Sequence, residues 1–273
     1  MIIFPNAKIN LGLRVLEKRA DGYHNIDSVF YPVKWEDALE IVENNNAGNK
    51  KIEFSQSGII PEGNLEDNLV VKAYRALDNV VDLPPLKIHL HKTIPTGAGL
   101  GGGSSDAAFT LKSLNELFEL NLEENILLKI ASTLGSDCAF FVRNRPVSVS
   151  GTGTIFEPAE LKLNGYHLLI IWPGIHSNTA EAYKNIAPNK TDLRCAAICK
   201  TPPENWREIL RNDFESSVFS RYPAVGKMKQ LLYDSGAIYA SMSGSGSAVY
   251  GIFKTGIPDI QLPKDFLFKK TEL

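Results

Sequence analysis

Residues 95–108, PTGAGLGGGSSDAA, restrict this chain more than any other stretch: five glycines and two serines in fourteen positions, running straight into alanines. Each glycine loses more backbone entropy on folding than any other residue, so a run of them needs a compensating use. Upstream, Leu86, Ile88 and Leu90 alternate with Lys87, His89 and His91, the period-two signature of a strand. Downstream, Ala107, Ala108, Leu111, Leu114 and Leu117 recur at helical spacing. A strand, a glycine loop and a helix in that order aim backbone N–H groups and the positive end of a helix at one point, where a phosphate binds. Glycine is needed because a Cβ would hold the phosphate off the main chain.

Three familiar phosphate-loop patterns fail here. The Walker A loop requires a Lys after its last glycine, and none follows. The dinucleotide pattern G-x-G-x-x-G is formally met by Gly97, Gly99 and Gly102, but a proline opens the loop and a second helix, not a strand ending in an acid, follows the first. The protein-kinase loop joins two strands, whereas this one starts a helix.

The rest of the sequence limits the partners. Among 273 residues, Lys plus Arg number 29 and Asp plus Glu 31, so the net charge of −2 recommends neither nucleic acid nor an anionic membrane. A small-molecule substrate fits better. The apolar N-terminal stretch is broken by Pro5, Lys8 and Arg14, and no run approaches the roughly 20 apolar residues of a membrane span. Cys138, Cys195 and Cys199 suggest no disulfide framework; they read as buried small hydrophobes in a reducing, cytoplasmic protein. His89 and His91 share a strand face without a third ligand in view, and a solvated face outweighs a metal pair.

Alternation of Ala7, Ile9, Leu11, Leu13 and Val15 predicts a strand with Lys8 and Asn10 on its other face. Further strands are expected over 26–34, 38–43 and 51–55, with KWED (34–37) as a turn. A helix follows with Leu69, Val70, Ala73, Leu77 and Val80 on one stripe and Asp67 or Asn68 as N-cap. Ser104 and Ser105 begin the glycine-loop helix, and Asp106 reads as a surface acid favoured by the helix dipole. Another helix, with Leu127 and Ile130, ends at Gly135, a natural C′ residue. DCAFFV (137–142) and PVSVSGTGTIF read as strands. Residues 151–165, where the pattern dissolves, mark the junction between two domains, 1–155 and 156–273. Beyond it come a buried strand (YHLLIIWP), a short helix from Thr179 to Tyr183, a helix on Val225, Met228, Leu231 and Leu232, and two strands joined by SMSGSGS.

The stretch PTGAGLGGGSSDAA (95–108) resembles the phosphate loop of the GHMP kinases, a superfamily of small-molecule kinases. Two further stretches resemble it: FPNAKINLGLRVLEKRADGYHNIDSVF (4–30) is similar to the branch whose acceptor is a cytidine-diphosphate-linked erythritol, and SMSGSGSAVYGIF (241–253) to the third glycine motif. Ser247 stands where relatives often carry Ala. The resemblance implies an α+β, two-domain fold, with an N-terminal domain resembling ribosomal protein S5 domain 2 and a ferredoxin-like C-terminal domain. It implies ATP and Mg²⁺ as cofactors and a monomer or homodimer. The nearest alternative is a relative acting on mevalonate or homoserine.

Residue by residue, the resemblance implies that Lys8 lies beside the reacting hydroxyl and that Asp137, otherwise a turn or capping aspartate, accepts its proton. ATP would lie over Pro95, Gly97, Ala98, Gly99, Leu100, Gly101, Gly102, Gly103, Ser104 and Ser105, with Asn68 near the adenine. One serine hydroxyl would meet Mg²⁺ or the β-phosphate, with Ser105 as the magnesium candidate. Asn10 would orient substrate, and Tyr23, His24, Thr179 and Tyr183 would bind it, Tyr23 stacking on cytosine and Tyr183 covering the opposite face. Phe30 reads as packing. Gly244 and Gly246 let the third motif approach the loop or the substrate.

Overall fold

In chain order, the first half of the computed structural model has strands β1 (Ile2–Ile3), β2 (Asn6–Lys18), β3 (His24–Glu36), β4 (Ala38–Glu43) and β5 (Ile52–Gly58), helix α1 (Leu69–Asp78) and strand β6 (Leu86–Lys92). Helices α2 (Gly102–Leu117), α3 (Glu124–Leu134) and α4 (Cys138–Arg143) follow, then strands β7 (Val147–Ser150), β8 (Ile155–Pro158) and β9 (His167–Trp172). Last come helices α5 (Thr179–Tyr183), α6 (Cys195–Cys199), α7 (Glu215–Arg221) and α8 (Pro223–Asp234) and strands β10 (Tyr239–Met242), β11 (Val249–Phe253) and β12 (Leu267–Glu272). The structure describes residues 1–45, 48, 50–60, 63–184 and 186–273.

These elements gather into two compact units interleaved along the chain: Met1–Ala7, Lys34–Thr96 and Gly101–Asn144 in the first, and Lys8–Val33, Gly97–Leu100 and Arg145–Leu273 in the second. The first unit carries a sheet in the order β1-β4-β6-β5, antiparallel except for the parallel β5–β6 pair that α1 connects. Its apolar set is Leu39, Ile41, Leu86, Ile88 and Leu90 on the strands, with Val70, Tyr74 and Leu77 on α1 and Leu111 and Leu114 on α2, all buried. Asn68 caps α1 by accepting from Val70 N at 2.9 Å, one of the two alternatives the sequence left open.

In the second unit, β2-β3-β7-β8 and β10-β11-β9-β12 form two further sheets. Helix α8 packs on β10 and β11, and Leu169, Ile171, Phe214, Val225, Leu232 and Val249 lie in one apolar cluster. All three cysteines are buried and unpaired. No helix among the described residues is long and apolar enough to cross a membrane.

Several local expectations need correction. Residues 138–143 are helical rather than extended, because five successive residues, Cys138 to Val142, are buried and no period distinguishes the two conformations. KWED is no turn: β3 runs on through Glu36 and only Asp37 breaks it. Within 151–165, β8 pairs back on β7 as a hairpin of the second unit, so the pattern there is structured. Gly135 does end α3 as expected, its backbone extended there with φ at 175°.

Candidate active site

The glycine loop contributes to both units. Its first four residues, Gly97–Leu100, belong to the second, where Ala98 and Leu100 are buried. Three hydrogen bonds seat this piece: Lys8 N donates to Leu100 O at 2.9 Å, Ala248 N to Ala98 O at 3.0 Å, and Ser243 Oγ to Gly99 O at 2.8 Å. The last two come from the third glycine motif, which is thereby fixed against the loop. Gly99 has φ +79°, and a Cβ on it would stand 2.0 Å from the Ser243 carbonyl oxygen. No larger residue fits there.

Below the loop lies a polar network on the face of β2 that carries Lys8 and Asn10. Lys8 is 3% and Asn10 1% exposed, because both faces of β2 are covered. Lys8 Nζ donates to Asn10 Oδ1 at 2.6 Å and lies 4.5 Å from the Phe30 ring centroid. Asn10 Nδ2 donates to Ser28 Oγ, which in turn donates to Gly12 O. That chain fixes the amide, so Asn10 presents its oxygen to the lysine.

The aromatic residues are arranged differently from expectation. His24 stacks on Tyr183 with centroids 4.8 Å apart and planes at 17°, and Phe214 meets Tyr183 edge-on at 4.7 Å. One face of Tyr183 therefore carries His24, while Tyr23 stands 67% exposed. Burial pushes the Tyr183 hydroxyl above its ordinary pKa, so it is a neutral donor. Thr179 Oγ1 pairs with Ser245 Oγ at 2.8 Å, tying the start of α5 to the third motif.

In the first unit, Pro95 is buried just ahead of the glycines. Gly101, with φ 70°, is the N-cap of α2, and the helix begins at Gly102. Ser104 and Ser105 therefore sit inside the first turn instead of capping it. Ser104 hydrogen-bonds the Cys138 thiol, whose pKa burial pushes up to about 11. This contact places Asp137, one residue before α4, beside the glycine-loop helix. Ser105 Oγ is buried and has no hydrogen-bond partner.

A cavity of about 220 Å³ in this unit is lined by Asn64, Leu65, Asn68, Lys92, Gly103 and Asp106, among others. The structure thus brings Asn68 and Gly103 to one cavity. Asp106 is 2% exposed, not a surface acid. Lys92 Nζ donates to Asp106 Oδ2 at 2.8 Å and to Asp37 Oδ2 at 2.5 Å, all three side chains being buried. Burial, with the second carboxylate of Asp37 adding to it, raises the Asp106 pKa to about 7 against the pull of Lys92. Lys92 was missed, although it falls in the apolar phase of β6, after Leu86, Ile88 and Leu90. His89 and His91 are engaged by Ser55 and Ser57 across β5, at 2.8 to 2.9 Å.

The sequence matches the GHMP kinases N terminal domain over residues 68–145 and the GHMP kinases C terminal domain over 196–260. It is 56% identical over 264 residues to the 4-diphosphocytidyl-2-C-methyl-D-erythritol kinase of Bacteroides thetaiotaomicron, covering 97% of this chain and 95% of that one. Identity to the protein of the same name from Porphyromonas gingivalis is 50%, covering 93% and 92%. A crystal structure of 4-(cytidine 5'-diphospho)-2C-methyl-D-erythritol kinase superposes with a TM-score of 0.80 at 30% identity, over 93% of this chain and 91% of that one. Mevalonate kinase from Methanococcus jannaschii shares the fold with a TM-score of 0.72 at 14% identity, over 99% and 97%.

Proposed function

This chain belongs to the GHMP kinases, and we propose that it transfers the γ-phosphoryl group of ATP to the 2-hydroxyl of 4-diphosphocytidyl-2-C-methyl-D-erythritol, a step of non-mevalonate isoprenoid synthesis. One observation carries the substrate: relatives 50–56% identical over nearly the whole chain share that single named activity. In this reading residues 1–155 supply the ATP-binding domain and 156–273 the C-terminal domain, and the protein works in the cytoplasm.

Phosphoryl transfer asks mainly for alignment and for neutralised phosphate oxygens. The glycine loop supplies bare amides, seated by Ser243 and Ala248. Asp137 accepts the hydroxyl proton, and Lys8, oriented by Asn10, adds positive charge at the reacting oxygen. Asn10 thus acts on substrate through the lysine. Asn68 and the cavity beside it receive the adenine end, while exposed Tyr23 stacks on cytosine with His24 and Tyr183 beside it. Ser105 fits the magnesium assignment: a buried oxygen without a partner is costly unless a ligand supplies one. Mg²⁺ held there by Ser105 would supply positive charge to offset that of the phosphates.

Phosphorus NMR of the protein with ATP, Mg²⁺ and a panel of alcohols tests the substrate. A new phosphomonoester is expected with the cytidyl compound alone; turnover of mevalonate or homoserine instead overturns the assignment within the same family. The loop has its own test. Gly99→Ala, forced off the Ser243 carbonyl, is expected to lower kcat/KM by about 10²-fold through misplacement of the phosphates. Gly236→Ala, also at positive φ but with no atom within 4 Å of the added Cβ, serves as the control with turnover retained.

A further inference from the structure

His176 was not among the expected site residues, yet its ring packs against the first glycine of the loop. A Cβ built on Gly97 would lie 2.0 Å from His176 Cε1 and 2.2 Å from Nδ1. The imidazole therefore occupies the space that a residue-97 side chain would fill. Gly97 has φ +64° and is exposed, and so is His176. Neither ring nitrogen hydrogen-bonds to another described residue.

The ring is held there by its neighbours. Ser247 Oγ and Trp172 Nε1 both donate to Ile175 O, and Ser177 Oγ donates to Ser245 O at 2.7 Å. Residues on either side of His176 are thus pinned to the third glycine motif, which itself grips Ala98 and Gly99. An exposed polar ring, anchored at both ends, packed on the first glycine of a phosphate loop and keeping a free N–H, has the chemistry of an anion contact.

We propose that His176 binds the nucleotide directly, its imidazole N–H donating to the triphosphate laid along Gly97–Leu100. The proposal rests on reading that loop as the phosphate cradle. It predicts a contribution specific to phosphate, which a purely space-filling histidine would not make.

The test is calorimetric titration of ATP and of adenosine into wild type, His176→Ala and His176→Gln. The alanine variant is expected to bind ATP about tenfold more weakly with adenosine affinity unchanged, since one lost hydrogen bond to a charged group is worth on the order of a factor of ten. Gln, which keeps an N–H donor, is expected to recover part of the loss. ATP affinity within twofold of wild type in His176→Ala, or an equal fall for ATP and adenosine, would overturn the proposal. A wild-type protein that prefers ATP to adenosine no more than weakly would instead remove the phosphate-loop reading beneath it. Both variants should melt with wild type, because the ring is exposed.

Discussion

Asp137→Asn is expected to lower turnover by about 10²- to 10⁴-fold, the span general-base catalysis commonly covers, while ATP affinity changes little. Asparagine keeps the shape of the side chain and loses the negative charge and with it the proton acceptor. The carboxylate makes no capping bond to α4. Its place is set by the backbone instead: Ser104 bonds the thiol of Cys138, and α4 carries four more buried residues, Ala139 to Val142, after it. Steady-state assays with the cytidyl substrate, paired with nucleotide titration, separate the two effects. A parallel loss of turnover and ATP binding would mean that Asp137 shapes the loop and has no part in the proton transfer.

The glycine loop was legible because nothing else explains five glycines between a strand and a helix. Its partners were harder to see. The alternation from Ala7 to Val15 reported one buried face correctly, but could not report that Lys8 and Asn10 face a second covered surface. That surface combines Ser28 and Phe30 of β3 with residues more than two hundred positions away, such as Ser243 and Tyr250, whose hydroxyl donates to Asn10 O at 2.7 Å. His176 was illegible for the same reason, its contact with Gly97 being long-range. Helix α4 escaped because a short helix buried all round has no period. Asp106 and Lys92 were partly legible: a lysine in phase with three buried apolar residues asks for a buried acid, and the sequence offers one in the next helix.

That buried cluster yields the largest expected effect on stability. Lys92→Met is expected to destabilise the fold by about 3–5 kcal/mol near pH 8, because removing one partner of a buried ion pair leaves uncompensated charge. Here two carboxylates, Asp37 and Asp106, lose the ammonium between them. Asp37 still accepts from the backbone N–H groups of Thr93 and Ile94, at 2.6 and 2.9 Å. Asp106 is the weaker member, with Oδ1 buried and without a partner. Its folded pKa of about 7 lies above the unfolded value near 3.9, so the folded chain binds the extra proton. The stability this group contributes is therefore complete below about pH 4 and is lost as pH rises through 7. Asp106→Asn, which mimics the protonated acid, should remove that slope. Urea unfolding of wild type and Asp106→Asn at pH 5 and pH 7.5 should show the variant gaining on the order of 2 kcal/mol relative to wild type at the higher pH. A constant difference at both pH values would mean that Asp106 is ionised throughout, held by Lys92 alone. In that case Lys92→Met should be as damaging at pH 5 as at pH 8, whereas a proton shared within the cluster makes the same variant recover in acid.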